Sequence, residues 1–89
     1  MNRKCTSLKP NEQVVFKIYS DIYGKKIPMD GSVISVYEKR KEVHISWLEG
    51  YKDRNDFIPF NDMLAVYNSN GRMMKFANIS GKSDLLIPE

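Results

Sequence analysis

The sequence has very few of the residues on which common active sites depend. Its 89 residues include one cysteine, Cys5, and one histidine, His44. A single cysteine cannot form an internal disulfide, and this usage is typical of a reducing compartment. A metal site needs several His, Cys or carboxylate ligands in one place, and the sequence offers no such cluster of His and Cys. We therefore predict a cytoplasmic protein without a cofactor.

Long hydrophobic runs are also absent. The apolar stretches are only a few residues long, far below the roughly 20 residues that a membrane-spanning helix needs. The basic residues Arg3 and Lys4 are not followed by the apolar segment of a secretory signal. We expect neither a membrane span nor a signal peptide, and no membrane partner.

Helical periodicity is missing as well, whereas strand-like patterns are frequent. The clearest pattern lies in residues 42–48, where Val43, Ile45 and Trp47 alternate with polar residues. A period of two places these three apolar side chains on one face of a strand. We therefore predict that Trp47 lies in the core and that His44 points to solvent. No stretch carries a convincing 3.6-residue period, so no long helix is expected.

The chain divides into a short polar beginning and a strand-rich remainder. Residues 1–12 show no apolar periodicity, which predicts a flexible basic arm. A single domain is predicted over residues 13–89. Its predicted strands cover residues 14–19, 32–38, 43–48, 56–60, 64–67, 72–78 and 85–87.

Turn residues predict the connections between these strands. A protruding loop is expected over residues 20–31, a polar turn over residues 50–55 and one helical turn over residues 61–63. The dipeptide Asn70-Gly71 tolerates positive φ at both positions. It therefore predicts a tight hairpin in which the sixth strand folds back on the fifth.

Three segments resemble the strands of a known type of fold. Residues 31–36 (GSVISV), 42–50 (EVHISWLEG) and 57–64 (FIPFNDML) resemble the strand pattern of Tudor-like and Src-homology-3-like barrels. The resemblance covers about residues 13–67. It implies an all-β fold, a small barrel of five to six strands with a C-terminal hairpin extension and at most one short helical turn. Such barrels serve many unrelated functions, so no particular function is implied.

The motifs of common enzymes are missing. No glycine-rich loop precedes a helix, which excludes a P-loop and a dinucleotide fingerprint. Cys5 and His44 could in principle pair as nucleophile and base. However, Cys5 lies in the predicted flexible arm and His44 on a predicted solvent-facing side. We predict that the protein is not an enzyme.

Positive charge is unevenly distributed along the chain. Residues 1–41 carry nine Lys or Arg and four acidic residues, which gives +5; residues 42–89 carry five and seven, which gives −2. The positive charge is concentrated in the N-terminal arm, the pair Lys25-Lys26 and the triplet Lys39-Arg40-Lys41. Basic residues presented together on loops can bind a phosphate backbone and release its counterions.

Aromatic residues expected to be exposed lie near this charge. Tyr23 and Tyr51 each stand next to a glycine in a predicted turn, where they could stack on unpaired bases. We therefore hypothesise a small, non-enzymatic nucleic-acid-binding accessory module. Its predicted binding residues are Lys25, Lys26, Lys39, Arg40, Lys41, Tyr23 and Tyr51.

A protein-binding module is the alternative. An edge strand and exposed aromatic side chains would then dock on a larger protein, as in an inhibitor or an adaptor. Within this class, an aromatic cage for a methylated side chain would have to draw on Tyr19, Tyr23, Trp47 and Tyr51. The salt dependence of binding separates the two classes, because phosphate contacts weaken steeply with salt.

Overall fold

A computed structural model of the chain describes residues 4–79 and 82–87, which form an antiparallel sheet. The strands in chain order are β1 (Gln13–Ser20), β2 (Lys25–Tyr37), β3 (Glu42–Glu49), β4 (Lys52–Pro59), β5 (Met63–Tyr67), β6 (Met73–Ile79) and β7 (Lys82–Ile87). Two short 3-10 helices accompany them, η1 (Cys5–Ser7) and η2 (Phe60–Asp62). The prediction of an all-β fold is confirmed, and η2 lies within one residue of the predicted helical turn.

The strands follow the order β4-β3-β2-β1-β5-β6-β7 in the sheet. Every pairing is antiparallel, and only the pairing of β1 with β5 joins strands that are distant in sequence. Within the described residues the pairings form an open series that ends at β4 and β7, and none of them closes the sheet into a barrel. No helix in this part of the chain is long and apolar enough to cross a membrane.

Strand β2 changes its partner halfway along its length. Residues 25–32 pair with β1, and residues 32–37 pair with β3. A Cβ atom at Gly31, next to this change, would lie 2.7 Å from the carbonyl oxygen of Ser46 and 2.9 Å from Cε1 of Phe16. Glycine therefore allows β2 to pass close to β3 and the core while it turns from one partner to the other.

The core lies on one face of the sheet, and its burial follows the predicted alternation in β3. Val43 and Ile45 are fully buried and Trp47 is 7% exposed. The Trp47 ring packs on Phe16 with 5.2 Å between ring centroids. The core position predicted for Trp47 is confirmed. The other core residues are Cys5, Leu8, Val14, Phe16, Val33, Ile58, Phe60, Met63, Val66 and Phe76.

The predicted loop over residues 20–31 is wrong. β1 and β2 pair as far as Ser20 and Lys25, which leaves a four-residue turn that ends at Gly24 with φ +66°. Pro28 favoured a loop, but it lies opposite Lys17 in the half of β2 that pairs on one side only. Such a strand tolerates a missing backbone donor, because one of its edges needs no hydrogen bonds within the sheet.

The polar turn predicted over residues 50–55 is shorter than expected. Gly50, with φ +64°, and Tyr51 make the turn, and β4 begins at Lys52. Residues 52–57 are exposed because β4 is the end strand of the sheet. Because an edge strand does not need apolar residues on both faces, the polar residues 52–55 form a strand although their composition is typical of a turn.

The beginning of the chain packs on the sheet. Cys5 is fully buried and Leu8 nearly so, which corrects the expectation that Cys5 lies in a mobile segment. The Asn11 N–H donates to the Val33 carbonyl at 2.8 Å, and the Val33 N–H donates to the Glu12 carbonyl at 2.9 Å. Two apolar residues in a polar stretch produce too little periodicity to predict this packing. Residues 1–3 lie outside the described part, and the single domain over residues 13–89 stays a prediction.

The hairpin predicted at Asn70-Gly71 is confirmed, since β5 and β6 pair in antiparallel fashion around it. Gly71 has φ +78°. The Asn68 side chain, which sequence analysis missed, accepts backbone hydrogen bonds from Asn70 at 2.9 Å and Arg72 at 3.0 Å. Strand β7 includes the predicted strand over residues 85–87.

Candidate functional site

The two basic hairpin tips meet at η2. Lys26 lies at the β1–β2 tip, and its Nζ donates to Asp62 Oδ2 at 2.7 Å. Lys41 lies at the β2–β3 tip, and its carbonyl accepts a hydrogen bond from the Phe60 N–H at 2.9 Å. Phe60 and Asp62 are the two ends of η2. The tips stand at opposite ends of β2 in sequence, but the change of partner within β2 allows both to reach η2.

We call the surface around η2 the basic surface. It consists of the basic residues at the two tips, which are Lys25, Lys26, Lys39, Arg40 and Lys41. All five residues are exposed. The structure therefore brings the two tips that carry these residues to η2, through contacts of Lys26 and Lys41, although it replaces the predicted loop around Lys25 and Lys26 by a strand.

Two of the five cations already have acidic partners. Lys26 pairs with Asp62, and Arg40 Nε lies 3.3 Å from Glu42 Oε1. Within residues 4–79 and 82–87, Lys25, Lys39 and Lys41 have no acidic group within salt-bridge distance. The unbalanced positive charge of the basic surface therefore resides on three lysines, whereas the Lys26–Asp62 pair connects the β1–β2 tip to η2.

Arg40 also contacts aromatic rings on the outer face of the sheet. Its guanidinium carbon lies 4.7 Å from the Tyr37 ring centroid and 4.8 Å from the Phe57 ring centroid. Tyr37 and Phe57 meet edge to face at 5.4 Å. His44 stacks on Phe57 at 4.6 Å with an interplanar angle of 22°. We call Tyr37, His44 and Phe57 the aromatic platform.

The aromatic platform forms because three strands place these residues on the same side. His44 is paired with Phe57 of β4 and with Ser35 of β2, so the side chains at these positions point away from the core. His44 is on the outward face as predicted, but it is half-buried, and its Nε2 lies 3.0 Å from Asn55 Oδ1. Sequence analysis missed the platform because it did not predict the register that brings His44 and Phe57 together.

The two predicted aromatic site residues are both exposed, but only one lies near the basic surface. Tyr23 is 66% exposed in the turn that leads into Lys25. Tyr51 is fully exposed in the β3–β4 turn. Strand β3 separates this turn from Lys41, and eight strand residues span about 25 Å. The structure therefore places Tyr23 beside the basic surface and Tyr51 at the other end of the hairpin.

Two other arrangements considered from the sequence are not formed. Cys5 is buried in the core and His44 is on the opposite face of the sheet, so they do not pair as nucleophile and base. Trp47 is buried and Tyr51 is remote from Tyr19 and Tyr23, so these four residues do not surround one pocket. Within the part of the chain that the structure describes, no three His, Cys, Asp or Glu side chains form a group that could hold a metal ion.

Comparison of the chain with protein-family models, with curated proteins and with solved structures gives no match. This surface combines three lysines that have no acidic partner among the described residues with a neighbouring cluster of aromatic rings.

Proposed function

We propose that this protein is a small, non-enzymatic module that binds nucleic acid through the basic surface. The observation that supports this proposal is the meeting of the two basic tips at η2. In these tips Lys25, Lys39 and Lys41 are exposed and have no acidic partner among the described residues. Lysines in this arrangement can neutralise neighbouring phosphates and release their counterions. With a net charge of only +3, binding depends on this local clustering rather than on the overall charge.

We also propose that strands β1–β5 form a Src-homology-3-like barrel that presents this surface. The strand order β4-β3-β2-β1-β5, the position of η2 between β4 and β5, and the shared strand β2 support this arrangement. A barrel of this kind would place the two ends of β2 on either side of η2. The hairpin of β6 and β7 would then extend the barrel beyond β5.

The second candidate function is a protein-binding module. The observation that favours it is the position of β4 at one end of the sheet, where its outer edge pairs with no other described strand. An extended segment of a partner could add to such an edge. However, Lys52, Asp53 and Arg54 line this edge with charge of both signs, a feature that discourages edge-to-edge pairing. We therefore place nucleic acid first.

The proposal is tested by removing the three unpaired lysines together. Arg40 stays unchanged because it packs on Tyr37 and Phe57. The variant Lys25→Gln/Lys39→Gln/Lys41→Gln is compared with Lys9→Gln/Lys52→Gln/Lys75→Gln, which removes the same charge from exposed positions elsewhere. The affinity for a labelled oligonucleotide, single-stranded or duplex, is measured by fluorescence anisotropy at several salt concentrations.

We expect the first variant to bind much more weakly and with a shallower salt dependence. A single strand contributes a slope of about −0.7 per neutralised phosphate on a log–log plot, so the loss of three contacts changes the slope by about 2. The control variant should keep the wild-type slope. Equal losses in both variants would show that the basic surface is not the site. If the wild type binds neither DNA nor RNA at low salt, the proposal fails and the protein-binding candidate replaces it.

A further inference from the structure

The aromatic platform adjoins the basic surface and shares Arg40 with it. Tyr37 and Phe57 are each 40% exposed, although they contact each other and the Arg40 guanidinium. The side chains of the platform thus present ring surface to solvent from fixed positions. Lys39 and Lys41 flank Arg40 in the β2–β3 tip, so flat rings and unpaired positive charge occur side by side.

The outer face around the platform carries mainly polar residues, together with the exposed Ile34. Ser35 lies opposite His44, and Asn55 contacts the His44 ring. Ser46 lies opposite Asn55. A protein-docking site is commonly built around a desolvated apolar centre. Here the rings have hydroxyl and amide groups as neighbours, a composition that suits bases, which have a flat face and a polar edge.

Arg40 is the link between ring stacking and phosphate binding. Glu42 holds its Nε at 3.3 Å, which keeps the guanidinium over the two rings. The Arg40 side chain is 56% exposed although its guanidinium contacts both rings, so part of the guanidinium is available to a base. A base stacked there would bring its phosphates towards Lys39 and Lys41.

We infer that the aromatic platform stacks unpaired bases, so that the ligand of this protein is single-stranded nucleic acid. This inference rests on the proposed function. Tyr37, Phe57 and the Arg40 plane hold the bases, while Lys39 and Lys41 bind the phosphates between them. In a duplex the base faces are already stacked within the helix, so the platform contributes nothing to duplex binding.

The test replaces rings by an aliphatic side chain of comparable size. The variants Phe57→Leu and Tyr37→Leu remove the π face from the platform, whereas Tyr51→Leu makes the same type of change at a fully exposed position about 20 Å from Phe57 along β4. The binding of oligo(dT) and of a duplex of similar length is measured for each variant by fluorescence anisotropy over a range of salt concentrations.

We expect Phe57→Leu to weaken oligo(dT) binding at least about fivefold, which corresponds to the lower end of the range for one base stacked on a ring. The slope of the salt dependence, the duplex affinity and the behaviour of Tyr51→Leu should stay as in the wild type. Unchanged oligo(dT) affinity in both platform variants, or equal losses for duplex and single strand, would overturn the inference. In either case the phosphate-binding proposal would stand, since it is tested by the lysine variants.

A second measurement uses the wild-type protein, because cross-strand ring pairs also stabilise a sheet and their removal could impair folding. In an NMR titration with oligo(dT), stacked bases should shift the ring protons of Phe57 and Tyr37 upfield. Binding without such shifts would show that bases do not stack on Tyr37 and Phe57, and the inference would fail. Absence of any binding, by contrast, would remove the proposed function itself.

Discussion

The hairpin of β3 and β4 has two ends that differ in what their exposed side chains contact. At the end near η2, Phe57 is packed between Arg40, Tyr37 and His44. At the other end, Leu48 is 68% exposed and Tyr51 fully exposed. The two ends thus combine aromatic and charged residues in a similar way, but only the end near η2 organises them into a cluster.

This comparison shows that exposure alone does not identify a binding surface. Tyr51 has the highest exposed fraction among the large hydrophobic residues that the structure describes, yet it stands far from Lys39 and Lys41. At its end of the hairpin, Arg54 and Glu49 face each other at 3.7 Å, so the local charge is balanced. Near η2 the two basic tips meet, through Lys26 and Lys41, and this meeting distinguishes the candidate site.

The largest expected effect concerns Trp47, the last core residue of β3 before the far end. Trp47→Ala should lower the free energy of unfolding by about 3–5 kcal/mol, because it leaves a large cavity against Phe16. Trp47→Phe should lose much less stability. Trp47 Nε1 is buried without a hydrogen-bond partner among the described residues, so its removal breaks no hydrogen bond there, and the phenyl ring still fills much of the space. Denaturant unfolding measures both. A stable Trp47→Ala variant that loses ligand binding would instead place Trp47 in a site.

A smaller but still substantial loss is expected for Gly31→Ala. The added methyl group would meet the backbone oxygen of Ser46 at 2.7 Å, which cannot move without disturbing β3. Overpacking of this kind costs about 1–3 kcal/mol. The neighbouring outer-face change Ser35→Ala is the control. If Gly31→Ala has the same denaturation midpoint as the wild type, the close approach of Gly31 to Ser46 of β3 is wrong.

Asp62→Asn should lower the stability moderately and raise the affinity for nucleic acid. Asp62 is nearly buried, but its partner Lys26 is half-exposed, so the loss of their ion pair costs about 1 kcal/mol. The released lysine adds one unpaired cation to the basic surface. The affinity for an oligonucleotide should therefore rise and its salt slope steepen by about 0.7. A weaker affinity in this folded variant would contradict the assignment of the surface around η2.

The smallest effect is expected at the far end of the hairpin. Leu48→Ser and Tyr51→Ser should each change the free energy of unfolding by less than about 0.5 kcal/mol, because both side chains are largely exposed. Oligonucleotide affinity should also stay unchanged. If either substitution reduced binding as strongly as Phe57→Leu, the difference between the two ends of the hairpin would disappear.

The predictability of each part of the fold depends on how local its determinants are. The alternation of Val43, Ile45 and Trp47 lies within one strand, and it correctly predicted both β3 and its buried face. The turn at Asn70-Gly71 is equally local. The first half of β2 is not predictable in this way, because Pro28 argues against a strand. Proline is tolerated there because this half of β2 pairs with β1 on one edge only, and that pairing depends on distant residues.

The candidate site was only partly predictable for the same reason. The basic residues are visible in the sequence, but their convergence depends on contacts between distant segments. Lys26 and Asp62 are 36 positions apart. The aromatic platform depends on the register of three strands, which composition and periodicity do not determine. The glycine next to Tyr51 indicates an exposed side chain, and this prediction is confirmed. Exposure does not give its position, however, and Tyr51 lies far from the basic surface.

Because Cys5 is completely buried, its reactivity reports the opening of the N-terminal segment. As the sole thiol of the chain, it can react with a water-soluble thiol reagent only after η1 detaches from the sheet. The labelling rate under native conditions therefore measures how often the N-terminal segment opens. If this rate equals that of global unfolding, residues 4–12 belong to the same cooperative unit as the strands. Faster labelling would reveal a segment that opens while the sheet with the basic surface stays folded.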